Sequence, residues 1–322
     1  MEMRKIFTAL LICIFSLNVF SQQDAQFSHN MFNHMGVNPG YAGIEEMICA
    51  TAIARTQWMG FNDVSAPDDK VAPQTMLFSI NAPVKVLRGG VGVSIMKDKL
   101  GFENNIGLKL GYSYHLWGIG PGVLGIGVQV GFLNKAIDFS KFRPIDVNDP
   151  LLNSSKIEKD MLSDMMFGLY YNIPDKFYAG LSSTQILQTK FDVGNSLATP
   201  SLSRHYYLEA GYQYVLNNPD FEILPSTLIK SDFASTQFDL NCLVKYKNMA
   251  YAGLSYRLQD AIVILLGYYP VKGLLGGVSY DITTSALGAK GRSNGTFEAV
   301  IKYCFKIEKP YVPTSHKTVR FL

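Results

Sequence analysis

Apolar and polar residues alternate strictly along most of this chain. Across positions 105–116 the even residues are Ile106, Leu108, Leu110, Tyr112, Tyr114 and Leu116, and the odd ones Asn105, Gly107, Lys109, Gly111, Ser113 and His115. Positions 124–132 repeat the pattern, with Gly125, Gly127, Gln129 and Gly131 on the second face. So do 206–214 (Glu209, Gly211 and Gln213 on the polar face), 238–246 (Asp239, Asn241, Lys245) and 297–305 (Glu298, Lys302). A period of two puts neighbouring side chains on opposite faces of a strand. About 14 such segments are present, starting near Ile48, Gln74, Gly90, Asn105, Gly122, Met165, Phe177, His205, Phe221, Thr236, Met249, Ala261, Leu274 and Thr296. Those near Ile48, Phe221 and Ala261 alternate poorly. Many run to about ten residues, longer than the usual 5–6 and suited to crossing a bilayer at a tilt.

The connections alternate in length as well. Positions 172–176, 217–220, 247–248 and 270–273 are short, whereas 135–160 and 185–204 are long. Outer-membrane barrels have short periplasmic turns and longer outer loops, so the short turns are expected in the periplasm, together with both chain ends. The connection at Gln259 and Asp260 is short where an outer loop is expected. The sequence thus predicts an all-β fold, a transmembrane antiparallel β-barrel of about 14 strands preceded by a polar-aromatic segment. A soluble two-sheet sandwich shows the same alternation. Against it, the polar face carries Gly, Ser, Gln and isolated Lys or Glu rather than dense charge. Aromatics also gather near segment ends, as interfacial girdles do: Trp58, Phe61, Trp117, Tyr170, Tyr171, Tyr206, Tyr207, Tyr268, Tyr269, Tyr303 and Phe305.

Positions 1–21 read as a secretory signal, with Arg4 and Lys5 ahead of an apolar run at 6–17 and cleavage expected between Ser21 and Gln22. The run is too short to span a bilayer. It continues past Cys13, which disfavours lipidation there. No other stretch reaches the ~18 apolar residues of a spanning helix. The chain then divides into 22–46, a possible plug or cap; 47–306, the barrel; and 307–322, a periplasmic tail. Cleavage leaves Cys49, Cys242 and Cys304, an odd number without CxxC spacing. They are expected to be buried or lipid-facing apolar groups and not a disulfide framework.

Composition narrows the function. Charged residues are 17% of the 322, below the average of about 25%, while 48% are hydrophobic, so the chain is not disordered. A net charge of +3 is too weak for a nucleic-acid footprint. Gly120-x-Gly122-x-x-Gly125 matches a dinucleotide fingerprint in form, but a strand follows it where the motif needs a helix. It reads as a tight turn. No GxSxG, HExxH or GxxxxGK[ST] motif occurs. His29, His34, His115, His205 and His316 lack metal-ligand spacing. His115 is expected to be an inward-facing lumen residue. The charge-rich stretches 68–70 and 156–160 read as solvated loops, and the long loop 135–160 either as an element that folds into the barrel, caps it or meets a partner outside, or as a disordered outer loop. No cofactor, metal or catalytic residue is expected. A lumen lined by Lys109, Glu209, Gln213, Asp239 and Lys245 is compatible with a channel or transporter for a small solute.

The two ends carry a family resemblance. The mature start includes Gln26, Phe27, Phe32, Asn38, Pro39, Gly40, Tyr41, Ala42 and Gly43 in a run QQDAQFSHNMFNHMGVNPGYAG. It resembles the opening of the PorP/SprF family of Bacteroidota membrane proteins, with Ala25 where Pro is common and Gly40 where Ala is common. Arg55-x-Gln57-Trp58 with Gly60-Phe61, and Pro73-Gln74-Thr75, fit as well. The ending Arg320-Phe321-Leu322 is similar to that of gliding-type members. The resemblance implies a non-enzymatic protein of the outer membrane, embedded in its lipid. It also implies partners among type IX secretion components and the C-terminal domain of a secreted surface adhesin. Secretion, adhesin attachment and gliding motility are the implied roles.

Overall fold

The computed structural model describes residues 24–62, 71–142, 156–191, 200–289 and 293–306. The signal segment, 68–70, 143–155 and the tail 307–322 lie outside them. Fifteen strands form one sheet: β1 (Ile48–Thr56), β2 (Gln74–Val84), β3 (Gly89–Leu100), β4 (Glu103–Ile119), β5 (Gly122–Asp138), β6 (Ile157–Ile173), β7 (Phe177–Thr184), β8 (His205–Tyr212), β9 (Tyr214–Val215), β10 (Phe221–Ser231), β11 (Thr236–Tyr246), β12 (Ala250–Arg257), β13 (Ala261–Val271), β14 (Leu274–Thr283) and β15 (Thr296–Phe305). β8 and β9 both pair with β10 and are one barrel strand interrupted at Gln213. The result is a closed 14-strand antiparallel barrel.

Each strand pairs with its sequence neighbours, and the sheet closes where β15 meets β1, Phe305 opposite Ile48. Closure leaves no edge, so every strand finds two partners for its backbone, as a bilayer demands. The faces are inverted relative to a soluble protein. Phe132 and Ile301 point outward and are each 59% exposed, whereas Asp239, Arg257 and Glu298 point inward and are at most 1% exposed. An apolar belt outside and a polar interior exclude the sandwich. Among the described residues no helix is long and apolar enough to cross a membrane.

Three features depart from the sequence reading. First, β6 begins at Ile157, well before Met165, and β5 runs on to Asp138. The stretch 156–160 is therefore mostly strand. Its charges obscured an alternation that continues unbroken, with Ile157, Lys159 and Met161 facing out. Second, Cys49 and Cys304 form a disulfide across the closing seam, where they stand directly opposite. Barrel closure brings together two residues 255 positions apart, which spacing along the chain cannot show. Cys242 is free and exposed on the outer wall. Third, Tyr170 and Tyr207 are buried in the lumen and do not belong to a girdle. Adjacent strand residues face opposite ways, so each aromatic pair gives lipid only one member. Tyr268 and Tyr303 do face outward, whereas Trp117 lies on the inward face of β4 beside His115, exposed at the periplasmic mouth.

Candidate functional site

The segment from Asp24 to Met47 lies inside the barrel. It is made of single turns: Asn30–Phe32, His34–Val37 and Pro39–Tyr41. Asn38 starts the last of these, accepting a bond from the Gly40 N–H at 2.9 Å, with Pro39 at the first helical position. The segment begins in the outer half of the lumen. There the Tyr207 hydroxyl donates to the Asp24 carboxylate at 2.9 Å and the Lys230 ammonium to its carbonyl at 2.9 Å. It leaves at the opposite end, where β1 starts.

Four sets of contacts hold it. In the first, the Ser28 and His29 N–H groups donate to the two Glu298 oxygens at 2.8 and 2.7 Å. The His29 ring Nδ1 adds a third bond to Glu298 at 2.9 Å. The Ser28 hydroxyl donates to Asp281 at 2.7 Å and accepts from Arg55 at 2.7 Å. Arg55 reaches Asp281 and Glu298 at 2.8 and 3.0 Å, and Arg257 reaches Asp281 and Asp239 at 3.1 and 3.2 Å. Asn30 joins this buried network through Asp239 at 3.3 Å. Buried charges of this kind persist only when they are paired and hydrogen-bonded.

In the second set, His34 Nδ1 lies 2.8 Å from Glu209, and the ring sits among Tyr41, Tyr170 and Tyr178. In the third, barrel side chains bond the segment's backbone. Ser182 donates to the Val37 carbonyl at 2.6 Å, Ser113 to Gly40 at 2.9 Å and His115 to Ala42 at 3.0 Å. Asn38 returns a bond to the Leu169 carbonyl at 3.0 Å, and Gly43 N–H donates to Asn81 at 3.1 Å. The wall is scooped out to receive this stretch. A Cβ on Gly127 would sit 2.2 Å from the Pro39 carbonyl carbon, and one on Gly125 2.1 Å from the Gly40 oxygen.

In the fourth set, at the exit, the Tyr41 hydroxyl donates to Glu45 at 2.5 Å and Lys302 reaches Glu45 at 3.2 Å. The Cys49–Cys304 bridge stands beside Glu45, at the start of β1. Burial and the neighbouring Glu45 carboxylate push the Tyr41 phenol well above its ordinary pKa. Burial alone would raise Glu45, but Lys302, the Tyr41 hydroxyl and His34 outweigh it and hold the carboxyl below the usual range. Asp24 behaves likewise: burial opposes ionisation, yet Lys109, His205, Lys230 and Tyr207 together bring its pKa down.

Apolar contacts fill between these bonds. Phe27 packs with Ile53, Leu77 and Val300, and Met35 with Tyr41, Ala42, Ile44 and Tyr170. Phe32 lies against Tyr251 with ring centroids 5.3 Å apart. Of the other residues that the sequence singled out, Gln26 is half-buried in the segment, and Pro39 and Gly43 are buried at its two bends. Trp58 sits away from the segment, at the outer end of β1 against Phe61, and Arg320, Phe321 and Leu322 lie outside the described residues. Lys109, Glu209, Gln213, Asp239 and Lys245 all face inward and are all bonded, to Asp164, His34, Glu222, Arg257 and Glu222 in turn. Arg257, Asp281 and Ser28 were not singled out from the sequence. Their partners within this network lie 18 to 270 residues away, and no local motif marks them.

Besides the segment, the lumen keeps a cavity of about 160 Å³ in its outer half, bordered by Asp24, Lys109, Lys135 and His205. Another of about 130 Å³ lies near the periplasmic mouth, beside Met31 and Phe32. Fold and site together define an integral outer-membrane β-barrel whose lumen holds its own N-terminal segment.

The chain belongs to the PorP/SprF family: residues 19–303 match the family described as "Type IX secretion system membrane protein PorP/SprF". No curated protein sequence matches the chain. Among solved structures it is similar to the toluene transporter TbuX of Ralstonia pickettii, at 10% identity and a TM-score of 0.50, covering 91% of this chain and 100% of that one. It is also similar to the Acinetobacter baumannii outer-membrane protein Omp33, at 8% identity, a TM-score of 0.46 and coverage of 81% and 99%. A FadL homologue of Pseudomonas aeruginosa gives 12%, 0.44, and 83% and 92%. At such identities the likeness is one of fold.

Proposed function

We propose that this protein is a non-enzymatic, plugged outer-membrane barrel that serves type IX secretion by supporting the delivery and surface attachment of an adhesin, gliding adhesins included. One observation supports this reading over a solute channel: the inward charges that would line a conducting path are spent on the plug and on one another. Glu298 alone accepts two backbone N–H bonds, a His29 bond and an Arg55 bond. A rigid barrel with an occupied lumen offers its rims and outer loops to a protein partner. Its partners on this reading are type IX components and the C-terminal domain of the adhesin. The tail 307–322, which follows the periplasmic end of β15, is assigned to a periplasmic partner.

The test is affinity purification from gently solubilised outer membranes, with mass spectrometry of the co-purifying proteins, beside conductance of the purified barrel in planar bilayers. Recovery of secretion components or an adhesin C-terminal domain with a silent bilayer is expected. Recovery of the barrel alone, with reproducible open conductance, overturns the reading in favour of small-solute transport.

A further inference from the structure

The barrel wall is not uniform in height. β4, β5 and β6 are each 17 residues long, whereas β12 has eight and β13 has 11. A bilayer needs about 9–11 residues per strand. The surplus lies at the outer ends of β4–β6, since their other ends meet in the short turns at 120–121 and 174–176.

Reading across the outside of this wall row by row shows where lipid stops. The row Val93, Leu110, Val130, Met165 is wholly apolar. The next, Ile95, Leu108, Phe132, Ser163, is nearly so. Then comes Lys97, Ile106, Asn134, Met161, and above it Lys99, Asn104, Ala136, Lys159. Lys97, Lys99 and Lys159 are exposed on the outer wall and make no ion pair among the described residues. In the top row the two lysines stand at the flanks of a floor made from Asn104 and Ala136. Three strand spacings separate them, about 14 Å, a gap that two extended lysine side chains can close upon from both sides. Lys141 borders the same depression, its ammonium 5.6 Å from the centre of the Phe102 ring. The depression measures about 650 Å³. Two carboxylates line it, and both are engaged: Glu103 with Lys135, and Asp138 with the N–H and hydroxyl of Ser140. Lys97, Lys99 and Lys159, set against two carboxylates that are already committed, leave the depression cationic.

We propose that this outer-wall depression binds the phosphorylated headgroup of an outer-leaflet lipid, with Lys97, Lys99 and Lys159 as its phosphate ligands. The position selects a lipid over a soluble anion: the lysines sit directly above the apolar rows that contact acyl chains, at the height where headgroups lie. Basic clusters at that level attract anionic headgroups, each cation adding to the affinity. A lipid held there would stay beside β3–β6 and anchor the tall side of the barrel.

The experiment is native mass spectrometry of the full-length barrel in mild detergent, titrated with monophosphoryl lipid A, its dephosphorylated form, or inorganic phosphate. Wild type should retain the phosphorylated lipid, and the K97Q/K99Q/K159Q variant should bind it at least about tenfold more weakly. A K85Q/K176Q control at the periplasmic end should bind as wild type does. Heat-modifiable mobility on gels verifies folding; K159E alone serves if the triple variant does not fold. Equal binding by the variant, equal binding of the dephosphorylated lipid, or full competition by inorganic phosphate at the lipid's own concentration overturns the proposal.

Discussion

His29 and Glu298 are 269 residues apart, yet the histidine's backbone and ring both bond one carboxylate oxygen, at 2.7 and 2.9 Å, with neither side chain exposed to solvent. The plug is thus tied to the last strand of the barrel, beside the seam that β1 closes. Glu298 also receives Arg55 from β1, so one carboxylate joins plug, first strand and last strand. Replacing it with Ala leaves two plug N–H groups without their acceptor and the buried Arg55 guanidinium with Asp281 as its one remaining carboxylate. Breaking one partner of a buried pair costs about 3–5 kcal/mol. Glu298→Ala is therefore expected to unfold at markedly lower denaturant in detergent and to expose the plug to protease. Unchanged unfolding and protease resistance would show that the network carries little of the stability.

The plug and barrel can be separated by a wall substitution. A side chain at Gly127 would occupy the space of Pro39. Gly127→Val should leave the barrel formed, because valine suits a strand, but force the plug from its seat. Limited proteolysis should then cut within 24–43, and planar-bilayer conductance should rise above the wild-type level. A silent, protease-resistant Gly127→Val barrel would mean that the wall yields instead.

Much of the architecture was legible in the sequence, and for a physical reason. Lipid on one side and a polar lumen on the other force a period of two, and nearly every strand start follows from it. The start of β6 did not, because Glu158, Lys159 and Asp160 mask the alternation where the wall rises out of the bilayer. The plug residues stood out by type: Phe27, Phe32 and Tyr41 need burial, yet sit in a run too polar for lipid. Their partners did not stand out. Arg55, Asp281 and Glu298 look like ordinary members of polar faces until closure sets β1 beside β15 and β14 beside both the seam and the plug. The Cys49–Cys304 bridge was illegible for the same reason.

That bridge makes a simple prediction. In the chain without residues 1–21, denaturation without reductant should leave one alkylatable thiol, Cys242, and reduction should reveal three. The bridge closes a loop of 255 residues and fastens both ends of the sheet. Removing it with the Cys49→Ser, Cys304→Ser double variant should cost about 2–4 kcal/mol by restoring freedom to the unfolded chain. Three free thiols without reductant, or no loss in denaturant midpoint, would contradict this.

Acid should loosen the plug before it harms the barrel wall. The Asp24 and Glu45 carboxyls are both held below their ordinary values of 3.8 and 4.5 by neighbouring cations and hydroxyl donors that outweigh burial. A depressed carboxyl contributes stability that is complete above its unfolded value and is lost as pH falls through the lower, folded one. The plug should therefore be fully seated at neutral pH and grow protease-sensitive as pH drops below about 4. Asp24→Asn removes one of the two titrations, along with the charge that faces Lys109, His205 and Lys230. It should raise sensitivity at neutral pH and flatten the acid limb. Cleavage within 24–43 measured from pH 7 to 3 checks both parts, and an identical acid limb in the variant would remove Asp24 from the account.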